Sequence, residues 1–392
     1  MPTALDRVEA LQHEPDTASQ TLGYMTISEQ VANLRNWPKA QAVFAQASAS
    51  KVPGQAMAVT GLLIGSPACR APFVQALANG DVGALRALRD PIKRSPYVFY
   101  SEEPTVWTSV MGPTFCAAAP DMTSECVAYM VWMDTQIKMG SEREFTLLHE
   151  LMQRMTAPDA CGRAVVLGAL RAILPLDSTH DLDPALESCV PAILQRLSDE
   201  DVSVRQAAVM ALRAYLQSRT ALVLKALPPF LPSLYDLTRV RTELQRQVRM
   251  GPFTVMHDDG LDLRKNALET LGTLLDTPLA RDVAPDVLAC VVRALQDDDG
   301  VKLMGCLLAV HVADVAGEAV RRAIADLAPP LQAILARQVR DNATKQDMEK
   351  ASEIDLAARR VVKRLAQLDP ASPAMAELLE RAATPSAVRR AA

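Results

Sequence analysis

The sequence predicts an all-α protein: a helical-repeat α-solenoid with one β-hairpin inserted between two helices of a repeat. Three observations predict it. About half of the 392 residues are apolar, chiefly Ala, Leu and Val, while only 4% are aromatic. Ala and Leu favour helices, whereas strands are usually built from β-branched and aromatic residues. An acidic turn followed by a basic residue and an apolar helical face recurs through the second half. One stretch, "RQVRMGPFTVMHDDGLDLRK" (246–265), interrupts the helical pattern with two short extended runs around Gly-Pro.

The recurring motif starts at Thr156 ("TAPDACGRAVVLGALRAIL"), Leu197 ("LSDEDVSVRQAAVMALRAYL"), His257 ("HDDGLDLRKNALETLGTLL") and Leu295 ("LQDDDGVKLMGCLLAVHVADV"). Asp or Ser before a helix accepts hydrogen bonds from its free N–H groups and suits its dipole, which gives Asp201 a structural role. Small residues such as Ala207, Ala208 and Ala267 let helices approach, and Leu and Val at three- and four-residue spacing form the stacking stripe. The basic residues Arg163, Arg205, Arg264 and Lys302 lie 42, 59 and 38 residues apart. Periods of roughly 40–47 residues are those of HEAT and armadillo helix pairs. Partner helices precede each motif, as at 183–197 and 279–295. A non-repetitive helical bundle is the competing reading.

The middle interval is too long by roughly 20 residues for that period. The excess lies between "LPPFLPSLYDLT" and "DDGLDLRK", so the hairpin is an insertion within one repeat. Solenoid insertions form loops on one face, often the binding face. "QRQVRM" and "FTVMH" alternate as short strands, and Gly251-Pro252 supplies the turn.

The first 140 residues are less regular. "SEQVANLRNW" and "APFVQALANGDVGALRALRD" read as helices, residues 50–70 as a linker or a poor repeat, and 101–121 as an irregular, Pro-containing stretch. The expected organisation is a diverged helical region at 1–140, a HEAT-repeat solenoid at 141–369 and a tail at 370–392 with one short helix. Residues 337–365 read as a long final helix with apolar positions at Val339, Met348, Ile354, Leu356 and Val361. Its charged outer face would cap the solenoid.

Residues 234–277, "LYDLTRVRTELQRQVRMGPFTVMHDDGLDLRKNALETLGTLLDT", resemble the C-terminal region of the cullin-associated NEDD8-dissociated protein family, also called TIP120. The resemblance continues through "VVRALQDDDGVKLMGCLLAV" and "RQVRDNATKQDMEKASEIDLAARRVVKRL", and begins more weakly near residue 180. It implies a HEAT superhelix whose C-terminal part grips the N-terminal region of an unneddylated cullin. A projecting hairpin there would occupy the surface where the substrate-receptor adaptor docks, so that receptors are exchanged on cullin–RING ubiquitin ligases. The family's N-terminal half, which engages the cullin's C-terminal region and RING partner, has no recognisable counterpart. A separate chain supplying that half and a stand-alone short form are both open. The alternative function is a passive HEAT scaffold for a phosphatase, transport or tubulin complex.

Within the hairpin, the partner-binding candidates are Arg249, Met250, Gly251, Pro252, Phe253, Thr254, Val255 and His257. Arg246, Arg249 and His257 would form a basic rim. Met250, Phe253 and Val255 would fill an apolar pocket, with Phe253 as the anchor because buried aromatics carry much interface energy. The competing reading packs Phe253 and Val255 back on their own repeat. Asp258 and Asp259 read as capping residues for a helix over 261–275, with Asp259, Arg264 and Lys302 as structural motif positions. "QDDDG" (296–300) reads as a turn.

Other chemistry finds no support. Hard-cation sites gather several oxygen ligands, and no such cluster or His spacing occurs; no cofactor or metal is expected. P-loop, Rossmann and nucleophile-elbow motifs are absent, so no enzymatic activity is expected. The net charge of −5 lacks a basic stripe, which argues against nucleic acid. "AMAVTGLLIG" is about half of a membrane span, and the N-terminus lacks a signal-like apolar region. Seven cysteines at irregular spacings fit buried reduced thiols. A cytoplasmic and nuclear protein is the expectation.

Overall fold

A computed structural model describes residues 67–94, 103–138, 146–250, 253–337, 344–370 and 372–383. The segments 28–37 and 50–66 lie outside the described residues. The chain divides into two units, Met1–Leu182 and Asp183–Ala392.

In the first unit, α1 (Pro67–Ala78) and α2 (Val82–Arg94) are joined by a turn in which Gly80 has φ +78°. They fall on the stretch expected to be helical. The expected irregularity at 101–121 is corrected by three helices: α3 (Glu103–Val110), α4 (Pro113–Ala118) and α5 (Pro120–Lys138). Pro104, Pro113 and Pro120 all stand in first turns, where the missing N–H has no intrahelical partner to lose. They start helices rather than break them. After α6 (Thr146–Gln153), α7 (Ala160–Ile173) packs against α5. There Ser124 Oγ donates to the Val165 carbonyl at 3.1 Å, and a Cβ on Gly168 would meet Ser124 Oγ at 2.4 Å. The contact requires glycine.

The second unit is a two-layer stack. One layer holds α8 (Asp183–Gln195), the short α10 (Thr220–Leu224) and α11 (Leu231–Asp236), α13 (Ala280–Ala294), α15 (Gly317–Leu335) and α17 (Pro373–Ala383). The other holds α9 (Val202–Ser218), α12 (Leu261–Leu274), α14 (Asp299–Val315) and α16 (Lys345–Leu368), each packed on the next. This is the expected α-solenoid, with antiparallel strands β1 (Gln245–Met250) and β2 (Phe253–Asp258) inserted before α12. The core lies between the layers. Ala208 and Ala267 are fully buried, while Ala207 is only half-buried. Gly305 is another close approach, since a Cβ there would lie 3.0 Å from that of Ala294.

Two expectations for the end of the chain change. The helix at 345–368 is not the last, because α17 follows and packs on α15 and α16. On α16, Ile354 and Val361 are buried and Met348 is half-buried, but Leu356 is exposed. Leu356 is two residues from Ile354, a spacing that does not share a helical face. Val339 lies outside the described residues. Thr344 and Asp347 form a capping box at the start of α16. Among the described residues no helix is long and apolar enough to cross a membrane.

Candidate partner-binding hairpin

The motif residues explain how the hairpin is mounted. In each repeat the basic residue stands four positions after the helix N-cap. Asp159, Asp201 and Asp298 are N-caps whose carboxylates accept from backbone N–H groups in the first turns of α7, α9 and α14. Ser203 supplies both its N–H and its hydroxyl to Asp201, and holds that carboxyl below its usual range. The fourth motif differs: α12 has Gly260 at its N-cap, without a side-chain cap. The capping role expected of Asp258 and Asp259 is therefore corrected. The strand runs close to the helix start: the Asp258 carboxylate accepts from the N–H of Gly260 itself at 2.9 Å, none of the first-turn N–H groups of α12 is capped by a side chain, and both carboxylates turn to arginines.

The arginines then diverge. Arg163 donates to the carbonyls of Ala157 and Pro158, and Arg205 to that of Asp199, so each closes its own inter-helix turn. Lys302 lies 3.4 Å from Asp299. Arg264 is only 2% exposed and joins two carboxylates. Its Nη1 and Nη2 donate to Asp258 at 3.2 and 2.9 Å; its Nε and Nη2 donate to Asp297 at 2.8 and 3.0 Å. Asp258 ends β2, and Asp297 lies in the turn between α13 and α14. Arg264 thus ties the base of the hairpin to the following repeat. Burial pushes the Asp258 carboxyl up, but hydrogen bonds from Arg264 and Gln245 and the guanidinium charge outweigh it and hold it below the usual range.

A second lock lies beside it. Arg246 donates to both oxygens of Asp259 at 2.9 and 3.3 Å, and His257 Nδ1 is 2.9 Å from the same carboxylate. The Asp259 N–H donates to the Leu244 carbonyl at 3.0 Å. Of the rim expected from Arg246, Arg249 and His257, two members are tied to this carboxylate. Arg249 is exposed and makes no ion pair among the described residues.

The strand register is Gln245↔Asp258, Arg246↔His257, Gln247↔Met256, Val248↔Val255, Arg249↔Thr254 and Met250↔Phe253. Successive pairs alternate sides of the ribbon. Met250, Phe253 and Val255 therefore share one side by register with half-buried Val248, and Gln247, Arg249, Thr254 and Met256 share the other. The turn at Gly251 and Pro252 lies outside the described residues.

Two features had no place in the sequence reading. One is Asp297, whose signal was a third aspartate in "QDDDG" beyond what a single cap requires. Residues 296–298 form the turn expected of that stretch, and α14 begins at Asp299 with Asp298 as its cap. The other is Met256, 56% exposed on β2. Of the cysteines described, five are buried and Cys161 is half-buried; burial pushes the Cys126 and Cys306 thiols up to about 12. No group of three His, Cys, Asp or Glu among the described residues could hold a metal ion.

The family model TIP120, "TATA-binding protein interacting (TIP20)", matches residues 222–383, and the HEAT repeat model matches 189–218. The Drosophila melanogaster "Cullin-associated NEDD8-dissociated protein 1" is 29% identical over 271 residues, covering 69% of this chain and 21% of that protein. The Mus musculus "Cullin-associated NEDD8-dissociated protein 2" is 28% identical over 241 residues, covering 62% and 19%. The Emericella nidulans "Cullin-associated NEDD8-dissociated protein 1, C-terminal part" is 28% identical over 257 residues, covering 65% and 24%. Each match spans less than a quarter of the relative's own length. Residues 222–383, from the short helix before the hairpin to the last described helix, thus match the TIP120 family model, and this part of the chain is similar to the cullin-associated NEDD8-dissociated proteins.

Proposed function

We propose that this chain is a non-enzymatic binding protein that grips the N-terminal region of an unneddylated cullin and displaces the substrate-receptor adaptor docked there. The observation that carries the reading is the mounting of the hairpin. A two-stranded ribbon is marginal by itself; here its base is fixed twice, by Arg264 and by Asp259, within the TIP120 region. A ribbon fixed at its base loses less freedom on docking than a loose loop, which favours binding. Competition at a shared surface is reciprocal: each ligand weakens the other by the same factor.

The test is a competition assay. An unmodified cullin–RING complex from the same organism is immobilised with fluorescent adaptor, and the full chain is added. A second variant carries a short Gly-Ser linker in place of Met250–His257. The expected result is that the intact chain binds and expels adaptor, while the variant spares it. Binding by both with adaptor left in place supports the passive-scaffold alternative. Absence of binding by the intact chain overturns the reading.

A further inference from the structure

We infer that the hairpin meets its partner with the side carrying Gln247, Arg249, Thr254 and Met256, and that the partner presents there an apolar pocket bordered by a carboxylate. The inference rests on the hairpin being the contacting element, as proposed above, and assigns which side touches and what chemistry receives it.

Three observations lead to this side. The first is exposure: all four residues are exposed, and the register gathers them on one side of the ribbon. On the opposite side Val248 is half-buried, and the exposed Arg246 and His257 are tied to Asp259. The second is apolar surface. Met256, at 56% exposure, is the most exposed of the large apolar side chains in the described chain. Methionine is flexible and polarisable, and suits insertion into an irregular pocket.

The third is charge. The opposite side's Arg246 and His257 already face Asp259. Among the described residues Arg249 has no such carboxylate, and its diagonal position across the ribbon from Met256 lies within reach of long side chains. An exposed arginine beside an exposed apolar side chain is a composition enriched at binding hot spots. Its complement is a carboxylate at the edge of the pocket that takes Met256. The same side also has the more rigid base, because Asp258 belongs to it by register and is held by buried Arg264.

The full chain and four variants are titrated against the immobilised cullin–RING complex: Met256→Ala, Arg249→Gln, Val248→Thr and the Gly-Ser replacement of Met250–His257. Met256→Ala and Arg249→Gln are expected to weaken binding about tenfold each, the scale of an interface hot spot, and Val248→Thr less than about twofold. Raising salt from about 0.05 to about 0.5 M should weaken the parent chain more steeply than Arg249→Gln, because the charge contact is screened. Retained circular dichroism in the variants separates lost contact from lost folding. The assignment is overturned if the Gly-Ser replacement abolishes binding while Met256→Ala and Arg249→Gln bind like the parent, or if Val248→Thr has the larger effect. A Gly-Ser variant that binds and expels adaptor like the parent overturns the hairpin reading itself, and this assignment with it.

Discussion

Arg205 and Arg264 occupy the same place in two repeats, four residues after a helix N-cap, and do different work. Arg205 donates to the carbonyl of Asp199 in its own turn, beneath a helix capped by Asp201. Arg264 lies under a helix capped by Gly260, and holds one carboxylate from the hairpin and one from the next repeat. Where a strand precedes the helix the side-chain cap is absent, and the motif arginine is the joint between insertion and stack. A repeat position can thus keep its residue type while its partner changes from local backbone to distant side chains. The number of carboxylates it faces sets the cost of losing it.

The comparison can be broken by substitution. Arg264→Met leaves two largely buried carboxylates without their cation and should cost about 3 kcal/mol, in the range for breaking a buried ion pair. Arg205→Met removes a hydrogen bond to one carbonyl and should cost about 1 kcal/mol. Urea unfolding of the two variants side by side measures the gap; equal losses would remove the distinction between joint and turn.

Acid probes the same contrast with a smaller perturbation. The folded-state pKa of Asp258 is depressed. Its contribution is therefore complete above the unfolded carboxylate value of about 3.9, and is lost as pH falls through the lower folded one. Amide exchange over 245–258, corrected for intrinsic rates, should show protection falling below about pH 4, before α13–α15 lose theirs. Simultaneous loss would mean that the joint does not control the hairpin.

Smaller effects test the caps. Asp201→Ala should cost about 1 kcal/mol, because two first-turn N–H groups lose their acceptor. Gly260→Ala should cost about 1 kcal/mol: φ there is −89°, and the new Cβ meets the end of the Leu244 side chain at 2.9 Å and Arg264 Nη1 and Asp258 Oδ1 at 3.3 Å. A larger loss in thermal unfolding would show that Leu244 cannot yield.

Much of this architecture was legible because it depends on short-range signals. The spacing of Arg163, Arg205, Arg264 and Lys302 exposed the repeat, and the Ala, Leu and Val stripes exposed its layers. Pro104, Pro113 and Pro120 misled because proline reads as a breaker unless its place relative to the helix start is known. The pairing of Arg264 with Asp297 was hidden by their 33-residue separation. Only stacking of the next repeat brings them together. Asp259 was misread because a strand ending beside a helix start offers a carboxylate two competing partners, backbone N–H and guanidinium, and the fold decides between them.

The pairing of Met250 with Phe253 leaves two residues to connect the strands. A change of one residue in either strand would exchange the sides of everything beyond it, because side chains alternate with a period of two. The ribbon's length is therefore adjustable only in even steps: two residues added to each strand extend it by about 7 Å, at about 3.4 Å per residue. Reach toward a partner and the choice of side presented to it are thus coupled through parity. Homologues or designed variants that keep the same side in contact are confined to hairpins differing by whole pairs.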